Sequence, residues 1–386
     1  MSKTGVKQPR KVNRVVGSYD ISLLLLVVLL CAFGVVMIYS TSYYNADRYY
    51  SESALYYSMQ IRNLILGAGA MILVSFVDYH FYVRVFGRSL KIKPIHAFYF
   101  LCLILQIVVA VAGYSANGSS RWLNLGPLSF QPSELTKICL IIMSAYLATK
   151  YKGILDKFKG FIPFFVAGLP LIGLVGVHDL STAVVLAAVA FIPPIIVSGL
   201  KRYHFIIGGA GLVGLIIMIT TIGYRQERLD VWLNPELQDP GSQTIQGLYA
   251  IASGGYLGKG LGEGLQKLGK IQEVHTDMIF TVVCEELGIA GAVIVILTFI
   301  LLLWRIYVVA VNARDLFGAV ICTGVFIHIA MQVVMNLLVV TNSIPATGIP
   351  LPFISYGGTS LVVLLAEMGL VLNVSKQIPE EGAADE

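Results

Sequence analysis

Apolar residues gather along this chain in long unbroken stretches and do not alternate with polar ones. Ten such stretches stand out, at about 21–40, 58–77, 97–114, 133–149, 161–177, 181–198, 204–222, 278–303, 315–340 and 350–373. As helices, each is long enough to cross a hydrocarbon core about 30 Å thick. The alternation that marks a membrane barrel is missing. The pattern therefore predicts an all-α polytopic membrane protein of about ten transmembrane helices, with a large extracytoplasmic loop between the seventh and eighth.

Composition sharpens this. Of 386 residues, 56% are hydrophobic and 13% charged, against about 25% charged in soluble domains, which excludes a soluble globular enzyme. The five cysteines lie scattered in apolar stretches, as small hydrophobes do, and form neither a disulfide framework nor a metal signature. The net charge of +5 matters less than its placement. With a cytoplasmic amino terminus, two thirds of all Lys and Arg fall on one side of the membrane, from Lys3, Arg10 and Arg14 through Arg84, Lys150 and Arg202 to Arg305 and Lys376. The positive-inside rule then puts both termini in the cytoplasm. Residues 1–18 read as a basic tail, 19–375 as one membrane domain and 376–386 as a second tail. The first apolar stretch is too long for a signal-peptide core and lacks a cleavage site, so it reads as a retained helix.

This orientation makes four connections extracytoplasmic: Thr41 to Tyr57, a Gly/Ser-rich turn from Ser115 to Pro132, a polar stretch of about fifty residues at 223–277, and Thr341 to Ile349. Long connections in compact proteins are usually functional or disordered, and the third is rich in Gly and aromatics. Chemistry is therefore expected on the outer side.

Ionisable residues inside apolar spans are costly and mark candidate sites. Here they are Arg62, Glu134 with Lys137, Asp179, Asp277, and Glu285 with Glu286. Glu134 and Lys137 share a helix face at a spacing of three and can pair there, either structurally or with Lys137 facing an anionic ligand. Asp277, where the long loop meets the eighth span, reads either as a favourable charge at a helix start or as a general base or metal-binding carboxylate. Under the last reading a divalent cation, Mg or Mn, is the one cofactor left open. Arg225, Arg228, Lys259, Lys267 and Lys270 lie in the same loop and suit a phosphate-bearing lipid head group, although some can be simply solvated. The Gly-rich run from Ser253 to Gly262 follows no strand and matches no P-loop. A second run, from Pro350 to Ser360, puts Ser355 where a helix begins or breaks, as a packing feature or a substrate-lining one. His275 has no partner at metal-ligand spacing.

These residues resemble the SEDS family (shape, elongation, division and sporulation), which includes the FtsW and RodA proteins. The likeness runs through Asn117-Gly118, Arg121-Trp122, Phe130 to Glu134, Ala250 to Gly255, His275-Thr276-Asp277, Glu285 to Gly288 and Leu351 to Gly358, in family order. It implies an inverting peptidoglycan glycosyltransferase of the bacterial cytoplasmic membrane, which polymerises lipid II with undecaprenyl diphosphate leaving. It also implies a single-span class B penicillin-binding protein as partner, other divisome or elongasome membrane proteins around it, and no nucleic acid. Asp277 matches the family's essential loop aspartate, and Glu134 and Lys137 its paired charges. Three places depart from the family pattern: Ile271-Gln272-Glu273, Thr244-Ile245-Gln246 and Val177 to Thr182. Arg121-Trp122 and Gln266-Lys267 lean towards FtsW.

Elementary chemistry agrees. Transfer from a lipid diphosphate needs a base for the acceptor hydroxyl and cations for the leaving group, and a stabilised leaving anion removes the need for a second carboxylate. Arg121, Arg228 and Lys267 are the expected diphosphate ligands. The competing readings are a lipid II flippase or ion-coupled transporter, motivated by Asp179, Glu134 and Lys137, and a catalytically silent scaffold. The chain shows no paired broken helices of the kind that inverted-repeat transporters carry.

Overall fold

The structure, a computed structural model, describes residues 18–50, 55–85, 93–116, 119–125, 128–199, 201–221, 223–235, 242–269, 271 and 274–378. The expected tail 1–17, the end from 379, Asn117-Gly118, Lys270 and Gln272-Glu273 lie outside the described residues, as does the side chain of Arg225.

Twelve α-helices are described: α1 (Ile21–Tyr50), α2 (Leu55–Phe76), α3 (Pro94–Ala112), α4 (Pro132–Tyr151), α5 (Ile162–His178), α6 (Leu180–Ser198), α7 (Arg202–Thr221), α8 (Gly223–Leu233), α9 (Gln243–Ser253), α10 (Ile279–Val311), α11 (Leu316–Val340) and α12 (Gly358–Ser375). Among the described residues eight helices are long and apolar enough to cross a membrane, namely α1–α3, α5, α6 and α10–α12. The 20-residue helices α4 and α7 coincide with the two remaining apolar stretches.

Helix α4 is less apolar for a physical reason. It is buried along nearly its whole length, from Pro132 to Ala148, between α3, α6 and α11. A helix enclosed by other helices can carry Glu134, Thr136 and Lys137 without presenting them to lipid. Elsewhere contact is made by small residues, as in many membrane bundles. A Cβ added at Gly67 of α2 would stand 2.5 Å from Leu365, and one at Gly369 of α12 would stand 2.5 Å from the Met71 carbonyl. Similarly, a Cβ at Gly34 would meet the Phe353 carbonyl at 2.5 Å.

Three expectations are corrected. The last helix starts at Gly358 and not near 350, because Pro350 and Pro352 lack backbone N–H groups and Phe353 takes a left-handed conformation, φ 63°. The Leu351 N–H donates to Ser355 Oγ at 2.9 Å instead, closing a buried turn. The Ser115–Pro132 connection is a three-stranded antiparallel sheet, not a simple turn: β1 (Tyr114–Ala116), β2 (Ser119–Leu125) and β3 (Leu128–Phe130), with Tyr114 opposite Trp122 and Leu123 opposite Phe130. The long polar loop contains two helices, α8 and α9.

Because the helices alternate in direction, the sheet, α8, α9, the segment around Asp277 and the Leu351–Tyr356 turn gather at one end of the bundle. Contacts between them agree: Thr359 Oγ1 donates to the Ser129 carbonyl at 3.1 Å, and the Tyr356 N–H donates to the His275 carbonyl at 2.8 Å. The opposite end is tied by Arg305–Asp20 at 2.6 Å and by Tyr79 and His80, both bonded to Asp315.

Candidate active site at one end of the bundle

Asp277 precedes the first turn of α10 and is 7% exposed. Its backbone is fixed from α11, where Asn336 Nδ2 donates to the Asp277 carbonyl at 2.7 Å and to the Ile349 carbonyl at 2.9 Å. One polar side chain thus joins the two segments that flank the site. The Thr276 hydroxyl donates to Asp277 Oδ1 at 3.4 Å, and Gly348, φ 70°, brings its backbone alongside Oδ2. A Cβ at Gly348 would come to 4.0 Å of that oxygen. Two residues before Asp277, His275 belongs to an aromatic cluster. The ring centroids of Tyr56 and His275 are 4.2 Å apart, those of Tyr56 and Tyr356 5.3 Å. His275 therefore packs among rings. Ser355 serves the adjoining turn through its bond from Leu351.

The second charged element lies on α4. Pro132 occupies the first turn, where a missing N–H costs nothing, and one turn later Lys137 Nζ donates to Glu134 Oε1 at 2.8 Å. Both residues are buried, 2% and 4% exposed. Glu134 Oε2 has no partner among the described residues.

Arg121 on β2 reaches the junction of α5 and α6. Its guanidinium stands 3.2 Å from Asp179 Oδ2 and donates to the His178 carbonyl at 3.3 Å, while its buried Nε has no partner among the described residues. Asp179 also caps α6 by accepting from the Thr182 N–H at 3.0 Å. Arg121, His178 and Asp179 line a small open cleft with Gln106, Gln131 and Ser133.

Arg228 on α8 donates to the Ala346 carbonyl at 3.1 Å, and Trp232 Nε1 donates to the Asn342 carbonyl at 2.9 Å, so α8 docks on the 341–349 connection. Lys267, expected at the diphosphate, is buried. Its ammonium donates to Glu286 Oε1 at 2.6 Å, to Ser40 Oγ at 2.8 Å and to the Gly262 carbonyl at 2.8 Å, which engages all three of its donors. The structure thus brings Asp277, Ser355 and Arg228 around one end segment, keeps Glu134 with Lys137 on α4, and sets Arg121 against Asp179.

Sequence reasoning missed Asn336, Tyr56 and the fully buried pair His328–Glu367 between α11 and α12. The signal was present for α11: His328, Gln332 and Asn336 recur every four residues in an otherwise apolar stretch and share one face. For a metal, the described residues bring no three His, Cys, Asp or Glu side chains together as a ligand group. A divalent ion held by one carboxylate and a substrate's own phosphates needs no such group, and no chemical step here is routed through a metal.

The family model for the FtsW, RodA and SpoVE proteins, described as a cell cycle protein, matches residues 21–379. The chain belongs to the FtsW/RodA/SpoVE family. Among FtsW/RodA/SpoVE relatives it is 36% identical over 376 residues to the probable peptidoglycan glycosyltransferase FtsW of Geobacter sp. (strain M18), covering 96% of this chain and 100% of that one. It is equally 36% identical to stage V sporulation protein E of Bacillus subtilis (strain 168), covering 93% of this chain and 97% of that one. A chain from the structure of a peptidoglycan synthase complex that coordinates polymerization and crosslinking superposes with a TM-score of 0.74 at 30% identity, covering 94% of this chain and 99% of that one. The rod shape determining protein RodA of Thermus thermophilus superposes with a TM-score of 0.68 at 28% identity, covering 97% and 100%. The FtsW/RodA/SpoVE membership agrees with the resemblance read from the motifs.

Proposed function

We propose that this chain is a peptidoglycan glycosyltransferase that polymerises lipid II at the outer face of the bacterial cytoplasmic membrane, with both termini cytoplasmic. The observation that carries the reading is the placement of Asp277: a buried carboxylate at the end of the bundle, backbone-clamped by Asn336 and two residues after His275 of the aromatic cluster. Relatives that are named probable peptidoglycan glycosyltransferases over almost the full length support it.

In this reading Asp277 accepts the proton of the acceptor sugar hydroxyl as that oxygen attacks the anomeric carbon of the donor. The anomeric carbon–oxygen bond breaks, its electron pair leaves with the undecaprenyl diphosphate, and a single displacement inverts the centre. Arg121, Arg228 and Lys137 supply the donors for the leaving diphosphate. Arg121 retains a buried Nε–H without a partner among the described residues, and Lys137 Nζ reaches the site while donating to Glu134 Oε1. Glu134 orients Lys137. Ser355 holds the turn that borders the acceptor. A class B penicillin-binding protein crosslinks the product, in division, elongation or sporulation. A flippase has no comparable support in the names of the relatives.

The deciding experiment is polymerisation of labelled lipid II by the purified chain with a matched class B partner. Asp277→Ala and Asp277→Asn are expected to insert normally and make no glycan; near-normal glycan from either sinks the reading.

A further inference from the structure

Helix α10 is broken at Gly288, which takes φ 65° and ψ −166°. An unbroken helix would bond the Ile289 and Ala290 N–H groups to the Glu285 and Glu286 carbonyls. In this chain all four groups are bonded to the Gly-rich loop. The Ile289 N–H donates to the Gly255 carbonyl at 3.0 Å and the Ala290 N–H to the Tyr256 carbonyl at 3.1 Å, while the Glu285 and Glu286 carbonyls accept from the Lys259 and Gly260 N–H groups, each at 3.0 Å. The loop backbone is thus laced through the break. Gly258 is required there, since a Cβ would run into the Glu286 carbonyl.

The side chains of the same two glutamates fasten the rest of the loop. Glu285, fully buried, accepts from Lys259 Nζ at 2.7 Å and from the Leu265 and Gln266 N–H groups at 3.0 and 3.2 Å. Glu286, also fully buried, accepts from Lys267 Nζ at 2.6 Å, the Gly262 N–H at 3.0 Å and the Ser40 hydroxyl of α1 at 2.8 Å. Buried carboxylates this fully bonded are costly to disturb. Ahead of the break lies one short helical piece, 279–287, laced to the loop at its far end, and Asp277 stands just before its first residue, where Asn336 also holds the backbone.

We propose that Lys267 and Glu286, with Lys259 and Glu285, are positioning residues for Asp277: the laced loop holds the first two turns of α10 as a separate block and so sets where the carboxylate points. The inference rests on the reading of Asp277 as the base. It gives the Gly-rich run a mechanical task and accounts for a lysine withdrawn from solvent.

The test uses the full chain in lipid nanodiscs and compares Lys267→Met, Glu286→Gln and the conservative Lys267→Arg with the parent. Lipid II polymerisation by Lys267→Met and Glu286→Gln is expected to lose about 10- to 100-fold in kcat, the scale of a small misplacement of a catalytic group, with KM unchanged. Backbone hydrogen exchange over 274–287 is expected to rise without substrate present, by more than exchange in the rest of the bundle, and Lys267→Arg to recover most of both. Unaltered exchange over 274–287 in Lys267→Met and Glu286→Gln overturns the proposal whatever the activity does, and so does raised exchange with parental kcat. A fully active Asp277→Asn would overturn the base reading instead, and exchange would still report whether the lace holds the block.

Discussion

His328 Nδ1 lies 2.7 Å from Glu367 Oε2, and both side chains are wholly buried between α11 and α12. The second ring nitrogen and the second carboxylate oxygen have no partner among the described residues. A buried polar pair of this kind gains little over apolar packing, whereas half of it is worse than none. His328→Ala or Glu367→Ala is therefore expected to cost about 3–5 kcal/mol. The double replacement His328→Phe with Glu367→Leu is expected to recover most of that loss. Unfolding of the four proteins in one detergent checks this, and additive single costs would contradict the coupling.

Neutralising one member of Glu134–Lys137 leaves the other buried and unpaired. Lys137→Met and Glu134→Gln are each expected to lower the unfolding midpoint, and the reversed pair Glu134→Lys with Lys137→Glu to restore it. Polymerisation by the reversed pair then separates two roles. A folded and active reversal assigns the pair to structure, and a folded but inactive one puts Lys137 on the diphosphate.

Asp78 stands at the opposite end, outside the spans. Burial opposes its ionisation but is outweighed by the His80 backbone N–H and ring and by the Gln377 amide, which push the carboxyl down to about 2 from an ordinary 3.8. A lowered carboxylate pKa contributes stability above pH 3.8 that fades as pH falls towards 2. The effect is small because the side chain is 38% exposed. Relative to Asp78→Asn, the parent is expected to be more stable near neutrality, with the difference closing between about pH 4 and pH 2 in a pH series of unfolding midpoints.

Arg228 and Trp232 both bond to carbonyls of the 341–349 connection. Trp232→Phe keeps the ring and loses one hydrogen bond, so about 1 kcal/mol of α8 docking is expected to go, visible as faster exchange of α8. Arg228→Lys keeps the charge but not the planar fork, and lipid II affinity is expected to fall more than α8 docking does. Equal affinity in parent and Arg228→Lys would remove Arg228 from the diphosphate site.

The ten apolar stretches correspond to α1–α7 and α10–α12, since hydropathy reports which segments meet lipid. Hydropathy is silent on where one backbone substitutes for another, which is why the break at Gly288 went unforeseen, whereas the prolines and glycines of 350–360 did announce a helix start or break and only its exact place was missed. Asp277 was legible because a carboxylate at the head of an apolar run is costly and needs a reason. The bond between Lys267 and Glu286 was not, because both sit in separate motifs and nothing in either names the other. Glu367 was overlooked as a lone acid in an apolar run whose partner, His328, lies on another helix.

The break in α10 also constrains biogenesis. A nascent segment entering the bilayer must satisfy its own backbone, and before the loop arrives the Ile289 and Ala290 N–H groups can do so only by running straight through Gly288 as an intact helix. Docking of the Gly255–Gly260 segment then exchanges two intrahelical bonds for four made with the loop. The exchange closes only on a residue that leaves the helical conformation at Gly288, and the side chain of a Gly288→Ala variant would run into the backbone of Gly258 and Tyr256.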